Sequence, residues 1–517
     1  MTLGSKTTRN NILANGVGRL WAVLSNIIFV PLYLVFLGRD AYGLIIFYAT
    51  LTATVQVLDT GLSSALAREL ALRLSLVEER GEEALKSVLN LTRTLEVLSW
   101  STGVVVGIGV VLAAPAIATY WLRSGNITLD HAVYILRLMG IVLAVQWPST
   151  AYGGALQGSQ RQVQYNFIKT ITTSAQSFGI IFVLWKISAT LESYFFVVLA
   201  SQLANTIWLR RSVWNNLEML CSDSPNFRWI EVTKVWRFGA GIASISVLGI
   251  ILSQADKIIL SKMVTLSEFA AYGVAVGVAA VLPAASGPIL TAVMPRFTHF
   301  FATGKIDEAG SLYIKSGELV ALITVPGWVI LQFHTHSLMV MWMGAGAIAD
   351  QASVMLRVLC FGWFVNALVI LPYGMQLSVG WTSLSVIKNA VAVLIVFPCL
   401  LVAIPRYGGV GAGAVWVLIN LIDVFISIPI MHGKILRGYL FKWYAKASVG
   451  PAVFGALFGV ISDFAIPDTN SRIGIFIFLS ILFALTFSGL AMVLPSVRSS
   501  VLKMMRNRWR AGFPRLS

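Results

Sequence analysis

Charge is what this chain has least of. Only 12% of its residues are Asp, Glu, Lys or Arg, while 57% are hydrophobic. Soluble domains carry roughly 25% charged and about 45–50% apolar residues. A sequence this apolar cannot be wrapped around one aqueous core, and it reads as an all-α polytopic membrane protein. Acidic residues are the scarcer sign: 22 Asp and Glu stand against 38 Lys and Arg, leaving a net charge of +16. Cysteine is nearly missing too. Cys221, Cys360 and Cys399 are too widely spaced for a C-x-x-C site or a disulfide framework, and they read as packing residues. The five histidines are scattered, and the one close pair, His334 and His336, is two residues apart. On a helix that spacing points the rings apart, which argues against a metal site.

Nucleotide and hydrolase motifs are absent as well. There is no G-x-x-x-x-G-K-[ST] loop for nucleotide phosphates, no G-x-S-x-G and no H-E-x-x-H. The run Gly409, Gly411 and Gly413 lacks the strand-turn-helix setting of a dinucleotide site and reads as close helix packing. Neither an enzyme nor a cofactor is expected. Nucleic-acid binding would need clustered phosphate-neutralising side chains, but the basic residues here fall in short patches between apolar runs. The first ten residues are polar and the apolar run after them is too long for a signal-peptide core, so that run is expected to remain as a span.

What is abundant is long apolar segments. Given that a span needs about 20 mostly apolar residues, they predict fourteen transmembrane helices. These lie near 12–37, 41–67, 94–118, 129–157, 164–185, 190–209, 238–261, 267–295, 316–342, 350–378, 382–404, 409–432, 446–464 and 472–495. Counted on alternate sides, 28 Lys and Arg share the side of the N-terminus and 7 lie opposite, with Arg19, Arg137 and Arg357 inside spans. The positive-inside rule then puts both termini in the cytoplasm and the chain in the inner membrane. The C-terminal tail carries six basic residues and no acid between Arg498 and Arg515, which reads as a solvated topological anchor.

The two halves share landmarks in the same order. Ala41-Tyr42-Gly43 recurs as Ala271-Tyr272-Gly273, an offset of 230; Arg68 and Arg296 differ by 228, Glu96 and Glu318 by 222, Trp121 and Trp342 by 221. Gln157 and Lys169 reappear as Gln376 and Lys388, both at 219. The one-way drift is what accumulated loop changes would leave. The expected organisation is a six-helix lobe over 1–214, a cytoplasmic connection over 215–237 and a second six-helix lobe over 238–437. Two appended helices over 438–497 and a basic tail over 498–517 complete it. Parallel repeats of this kind occur in transporters that hold substrate between their halves.

Polar stripes run through several spans at helical spacing. Helix one carries Asn11, Asn15, Arg19 and Asn26; helix two Thr52, Gln56, Asp59 and Ser63; helix four Gln146, Ser149, Gly153 and Gln157; helix five Lys169, Thr172 and Gln176. A charge at the bilayer centre costs about 2.5–3.5 kcal/mol, so such faces should look into protein or water. Cations within or at the inner ends of spans (Arg19, Arg68, Arg137, Lys169, Arg296, Arg357, Lys388) outnumber Asp59, Asp256 and Asp423, which predicts an anionic passenger. Arg68, Lys169, Arg296 and Lys388 can equally snorkel to the cytoplasmic interface. Asp256 and Lys257 read as a local pair. The candidate binding residues are therefore Arg19, Arg137, Arg357, Lys169 and Lys388, with Asn15, Asn26, Gln56 and Asp59 beside them.

The stretch from Arg9-Asn10 through Pro31-Leu32-Tyr33, Leu37-Gly38, Ala41-Tyr42-Gly43 and Leu58-Asp59-Thr60-Gly61-Leu62-Ser63 resembles the polysaccharide flippases of the multidrug/oligosaccharidyl-lipid/polysaccharide exporter (MOP) superfamily. Phe238-Gly239 and Gln254-Ala255-Asp256-Lys257 look like the matching start of the second half. The resemblance implies two six-helix lobes working by alternating access on an undecaprenyl-diphosphate-linked oligosaccharide for surface polysaccharide assembly. It also implies that Arg19, Arg137 and Arg357 hold the diphosphate, and that the partners are phospholipid and other glycan-assembly membrane proteins. Two alternatives are a cation-coupled drug exporter and a membrane glycan polymerase or transferase. The first typically carries a carboxylate in helix one, where this chain has Arg19 and no acid. The second would need a large hydrophilic outer loop, whereas the longest outer connection, 119–128, has about ten residues.

Overall fold

The computed structural model describes Trp21, Ser25 and residues 27–123, 125–218, 224–284, 286–465 and 471–499. Apolar stretches this long leave the backbone one way to satisfy its own polar groups in lipid, the α-helix, and the described residues are helical nearly throughout. Their β-pairing is an isolated bridge between Arg123 and Thr265. Nine helices among the described residues are long and apolar enough to cross a membrane, as a multi-pass membrane protein requires.

Residues 1–270 form one compact unit and 271–517 another. The first contains α1 (Val30–Leu37), α2 (Arg39–Val55), α3 (Val57–Ser75), α4 (Val77–Tyr120), α5 (Leu129–Gln146), α6 (Pro148–Gly158), α7 (Gln162–Lys186), α8 (Leu191–Glu218) and α9 (Trp229–Met263). Helix α10 (Leu266–Ala279) crosses into the second unit. There follow α11 (Val281–Ala284), α12 (Ser286–Ala302), α13 (Ile306–Phe333), α14 (Thr335–Met343), α15 (Ala347–Ser378) and α16 (Ser383–Ile422). A π-helical turn over Asp423–Ser427 leads to α17 (Ile428–Lys434), α18 (Leu440–Ala447), α19 (Val449–Asp463) and α20 (Arg472–Val493).

Small residues set the close contacts, as membrane helices require when lipid is as apolar as their own side chains. Gly107 on α4 and Gly140 on α5 face each other reciprocally: a Cβ on either would sit 2.8 Å from the carbonyl oxygen of the other. On α6, a Cβ at Gly154 would meet the Ser63 carbonyl oxygen at 2.5 Å, and one at Gly158 the Ala67 oxygen at 2.4 Å, so α6 lies flat on α3. The glycines of the 409–413 run do pack helices: Gly411 faces the Ala403 carbonyl and Gly409 faces Met355. The long α16 turns at Gly408, whose φ of 54° suits glycine. In the second unit α15 is buried along most of its length, and Trp328 of α13 stacks on Phe364 with ring centroids 4.4 Å apart. Cys360 is buried and Cys399 half-buried; Cys221 lies outside the described residues.

Several helices differ in extent from the sequence reading, with helix two running on to Ser75, helix six to Glu218 and helix seven starting at Trp229; two further shifts have a visible cause. Helix three, read from 94, extends back to Gly81, where the chain turns with φ 55° out of a short helical segment from Val77, because its inner extension, rich in Glu, Leu, Lys and Arg, is polar but strongly helix-forming. Helix nine, read over 316–342, runs Ile306–Phe333 and breaks at His334 before α14.

Candidate functional site

Asn15, Arg19 and Asn26 lie outside the described residues. Helix one is tied to helix five nearby, since Trp21 Nε1 donates to Ser174 Oγ at 2.9 Å. The other candidates fall into three settings.

Arg137 on α5, Lys169 on α7 and Arg357 on α15 are exposed. None of the three makes an ion pair among the described residues, although ten other cations and histidines do. Each sits on a helix apolar enough to span. They are therefore cations presented from membrane helices with their charge unspent.

Lys388 is in the second setting. Its ammonium lies 2.9 Å from Asp423 Oδ2, and Asp423 Oδ1 accepts from Ser427 Oγ at 2.9 Å. Asp423 is buried at the first residue of the π-helical turn that follows α16. The pair is local to one unit and its charge is neutralised.

Gln56 and Asp59 form the third setting. Both belong to helix two, which breaks between α2 and α3 at Gln56. Gln56 is exposed, while Asp59 is 3% exposed and faces helix four at Gln146, a member of its polar stripe, and at Trp147 and Thr150, which are not. Asp256 and Lys257 do make the local pair, at 3.4 Å.

Sequence reasoning passed over the most elaborate polar cluster. Glu96, 3% exposed on α4, accepts from Tyr152 Oη at 2.6 Å, Arg210 Nε at 2.7 Å, Trp214 Nε1 at 3.2 Å and Arg93 Nη1 at 2.8 Å. It fastens α4, α6 and α8 above an apolar cluster that includes Leu66, Leu70, Leu91, Leu95 and Leu209. Arg73 of α3 likewise pairs with Glu231 of α9 at 2.5 Å. Glu96 was visible as a repeat landmark, but nothing in its spacing revealed four donors arriving from three helices. These contacts hold the unit together; the unpaired cations are what a passenger could meet.

The described residues form a helical, multi-pass membrane protein with three basic side chains unpaired on its spans, and solved structures agree on the fold. The lipid II flippase MurJ in an inward closed conformation aligns with a TM-score of 0.68 at 13% identity, over 93% of this chain and 97% of that one. An inward-facing multidrug resistance transporter of the MATE family of the MOP superfamily aligns at 0.60 and 12% identity, over 87% and 96%. A Pyrococcus furiosus transporter of the same superfamily, reported to have a binding pocket of reverse polarity, aligns at 0.55 and 13% identity, over 88% and 96%. In sequence, a Shigella flexneri protein named provisionally as an O-antigen transporter is 22% identical over 399 residues, 75% of this chain and 89% of its own. The family described as Polysaccharide biosynthesis protein matches residues 8–301, more than half of the chain. The chain belongs to that family.

Proposed function

We propose that the protein turns an undecaprenyl-diphosphate-linked oligosaccharide from the inner to the outer leaflet of the cytoplasmic membrane, by alternating access, for assembly of a surface polysaccharide. The observation that carries this reading is the pair Arg137 and Arg357, one in each compact unit, exposed on spanning helices and without an acidic partner among the described residues. Guanidinium is the side chain best matched to diphosphate oxygens, because its fork donates two parallel hydrogen bonds. Held at membrane depth without a ligand or water it would be costly, so its use is to meet an anion there. Arg19 and Lys169 extend the basic surface, with Asn15, Asn26 and Gln56 as polar lining; Lys388, held by Asp423, and the buried Asp59 stand apart from it. The repeated halves 1–214 and 238–437 act as the two lobes. Both termini are cytoplasmic.

The energetics run in the required direction. With the cell interior negative, each negative charge leaving is favoured by about 2.3 kcal/mol per 100 mV, and a diphosphate carries about two. The relatives support a flippase, and the unpaired cations support an anionic headgroup over a cationic drug.

The test is flipping of a fluorescent short-chain polyprenyl-diphosphate oligosaccharide in proteoliposomes. Arg137→Ala and Arg357→Ala should each slow it at least about tenfold, the loss of roughly 1.4 kcal/mol of transition-state binding, with partial recovery in the Lys variants and drug tolerance of the host unchanged. Undiminished flipping in both Ala variants would remove the assignment.

A further inference from the structure

Helices two and four break side by side. The first is interrupted at Gln56, between Val55 and Val57, and the second at Trp147, ahead of Pro148, which has no N–H to give to the turn before it. Between them lies a cavity of about 10 Å³ lined by Thr52, Gln56, Asp59, Gln146, Trp147 and Thr150, with Val55 and Leu143 completing its wall. That is the room one water molecule needs.

The polar atoms around this cavity are unusual in being left over. Asp59 Oδ1, Trp147 Nε1 and Thr52 Oγ1 are all buried, and none has a hydrogen-bond partner among the described residues. Asp59 and Trp147 are 3% and 5% exposed, so solvent outside the protein does not serve them. The neighbours are committed elsewhere. Gln146 Oε1 accepts from Tyr48 Oη at 2.9 Å, and Thr150 Oγ1, beside the Asp59 carboxyl, donates to the Trp147 carbonyl at 2.8 Å. Buried polar groups are nearly always satisfied, and three orphans around one water-sized space call for one shared ligand.

No countercharge reaches Asp59 among the described residues. On α2, Asp40 receives the Asn126 N–H at the opposite end of the helix from the break, and Arg39 is beside it. On α3, Arg68 and Arg73 pair with Glu69. On α4, Glu96 holds Arg93 and Arg210, and Tyr152 of α6 donates to the same Glu96. On α5, His131 pairs with Glu192, Asp130 lies in the first turn, and Arg137 stands nine residues before Gln146, about 13 Å along the axis. On α9, Glu231 holds Arg73 and Lys234, Lys257 pairs with Asp256, and Lys262 lies over Trp121. An ionised carboxyl sealed without a partner is costly, and one proton neutralises it.

We propose that this cavity is a proton-binding site, in which a single water accepts the Trp147 N–H, donates to Asp59 Oδ1 and hands a proton from the aqueous phase to that carboxyl and back. The orphan set selects a proton over a metal ion. A bare cation would suit Asp59 and Thr52 but cannot accept from the indole N–H, which would stay unsatisfied and point its positive end at the ion. Water does both. On uptake the carboxylate becomes a carboxylic acid whose O–H donates to the water or to Thr52 Oγ1. On release the O–H bond breaks and the proton leaves through the same water. The site is distinct from the basic residues assigned to the diphosphate, and its existence does not depend on what is transported.

Infrared difference spectra of the full-length protein in lipid nanodiscs, recorded through a stepwise pH titration, read the protonated-carboxyl C=O stretch directly. The wild type should show such a band that titrates and shifts in D2O, and Asp59→Asn, nearly isosteric, should lose it. Trp147→Phe should keep the band but move its frequency and midpoint, because the water loses its donor. Spectra of Asp59→Asn identical to wild type would overturn the proposal, as would a Trp147→Phe band unchanged in position and midpoint. Disappearance of the wild-type band on adding Na+ at fixed pH would also overturn it and reassign the cavity to a metal ion. None of these outcomes requires flipping, so they stand or fall apart from the flippase reading.

Discussion

The turn after α6 and the turn after α15 follow the same path with different residues. Gln160 N–H donates to the Gln157 carbonyl at 3.0 Å and Arg161 N–H to Leu156 at 2.8 Å; 220 residues on, Gly380 N–H donates to Leu377 at 3.0 Å and Trp381 N–H to Gln376 at 3.0 Å. Both chains reverse through a positive φ, 58° at Gln160 and 75° at Gly380, and both continue into a long helix carrying a lysine, Lys169 or Lys388. There the likeness ends. Lys169 is exposed and has no acidic partner among the described residues, whereas Lys388 is bound to Asp423. Glu96 and Glu318 part in the same way. The first gathers four side-chain donors, while the second, 1% exposed, accepts the backbone N–H of Ser496 at 2.8 Å. A shared backbone thus carries different pairings in its two copies: the lysine is left without an acidic partner in the first and paired in the second, while the glutamate gathers two arginines in the first and a backbone N–H in the second.

The largest test of that contrast is at the glutamates. Glu96→Ala strands two guanidinium groups and two ring donors, and breaking such a buried cluster costs about 3 kcal/mol once the partial exposure of Arg93 and Arg210 is allowed for. Glu318→Ala leaves one N–H unserved, about 1 kcal/mol. Chemical unfolding in mixed micelles should rank them in that order; equal losses would mean that Glu96 is no hub.

Next comes the lysine pair. Asp423→Asn and Lys388→Met should each destabilise by roughly 2 kcal/mol, while the double variant recovers about 1–2 kcal/mol of the sum, the coupling that a double-mutant cycle isolates. Lys169→Met should stay within about 0.5 kcal/mol of wild type, as surface changes do. A Lys169 variant as unstable as the Lys388 variant would erase the distinction.

How much of this was legible in the sequence follows from which physics each feature obeys. Span existence, helical class and the glycine contacts at Gly409 and Gly411 follow from composition and local spacing, and they were readable. The inner extension of α4 was not, because Glu82, Glu83, Lys86 and Arg93 look like a loop to a hydropathy reading while favouring helix by propensity. Site partners were less legible still. Lys388 and Asp423 are 35 residues apart, on either side of the turn at Gly408, and their meeting is set by the tertiary fold. Nor does anything in the run Trp147-Pro148 announce that its break lies against the one at Gln56. Pairing is a tertiary fact, and a single stripe of polar residues cannot separate a lumen face from a buried one.

The smallest effect sharpens the turn comparison itself. Gln160 is the one non-glycine with positive φ among the described residues, and an L side chain in that region costs about 1–2 kcal/mol. Glycine removes the strain but gives the unfolded chain more freedom, worth about 0.5–1 kcal/mol in the opposite sense. Gln160→Gly should therefore stabilise by about 0.5 kcal/mol. Gly380→Ala should destabilise by about 1 kcal/mol, because it adds the strain that its counterpart already carries and gains back only part of it in the unfolded chain. Unfolding midpoints at constant slope measure both. If Gln160→Gly destabilises instead, the Gln160 side chain is making a contact that glycine cannot replace, and the two turns are alike in path but not in what holds them.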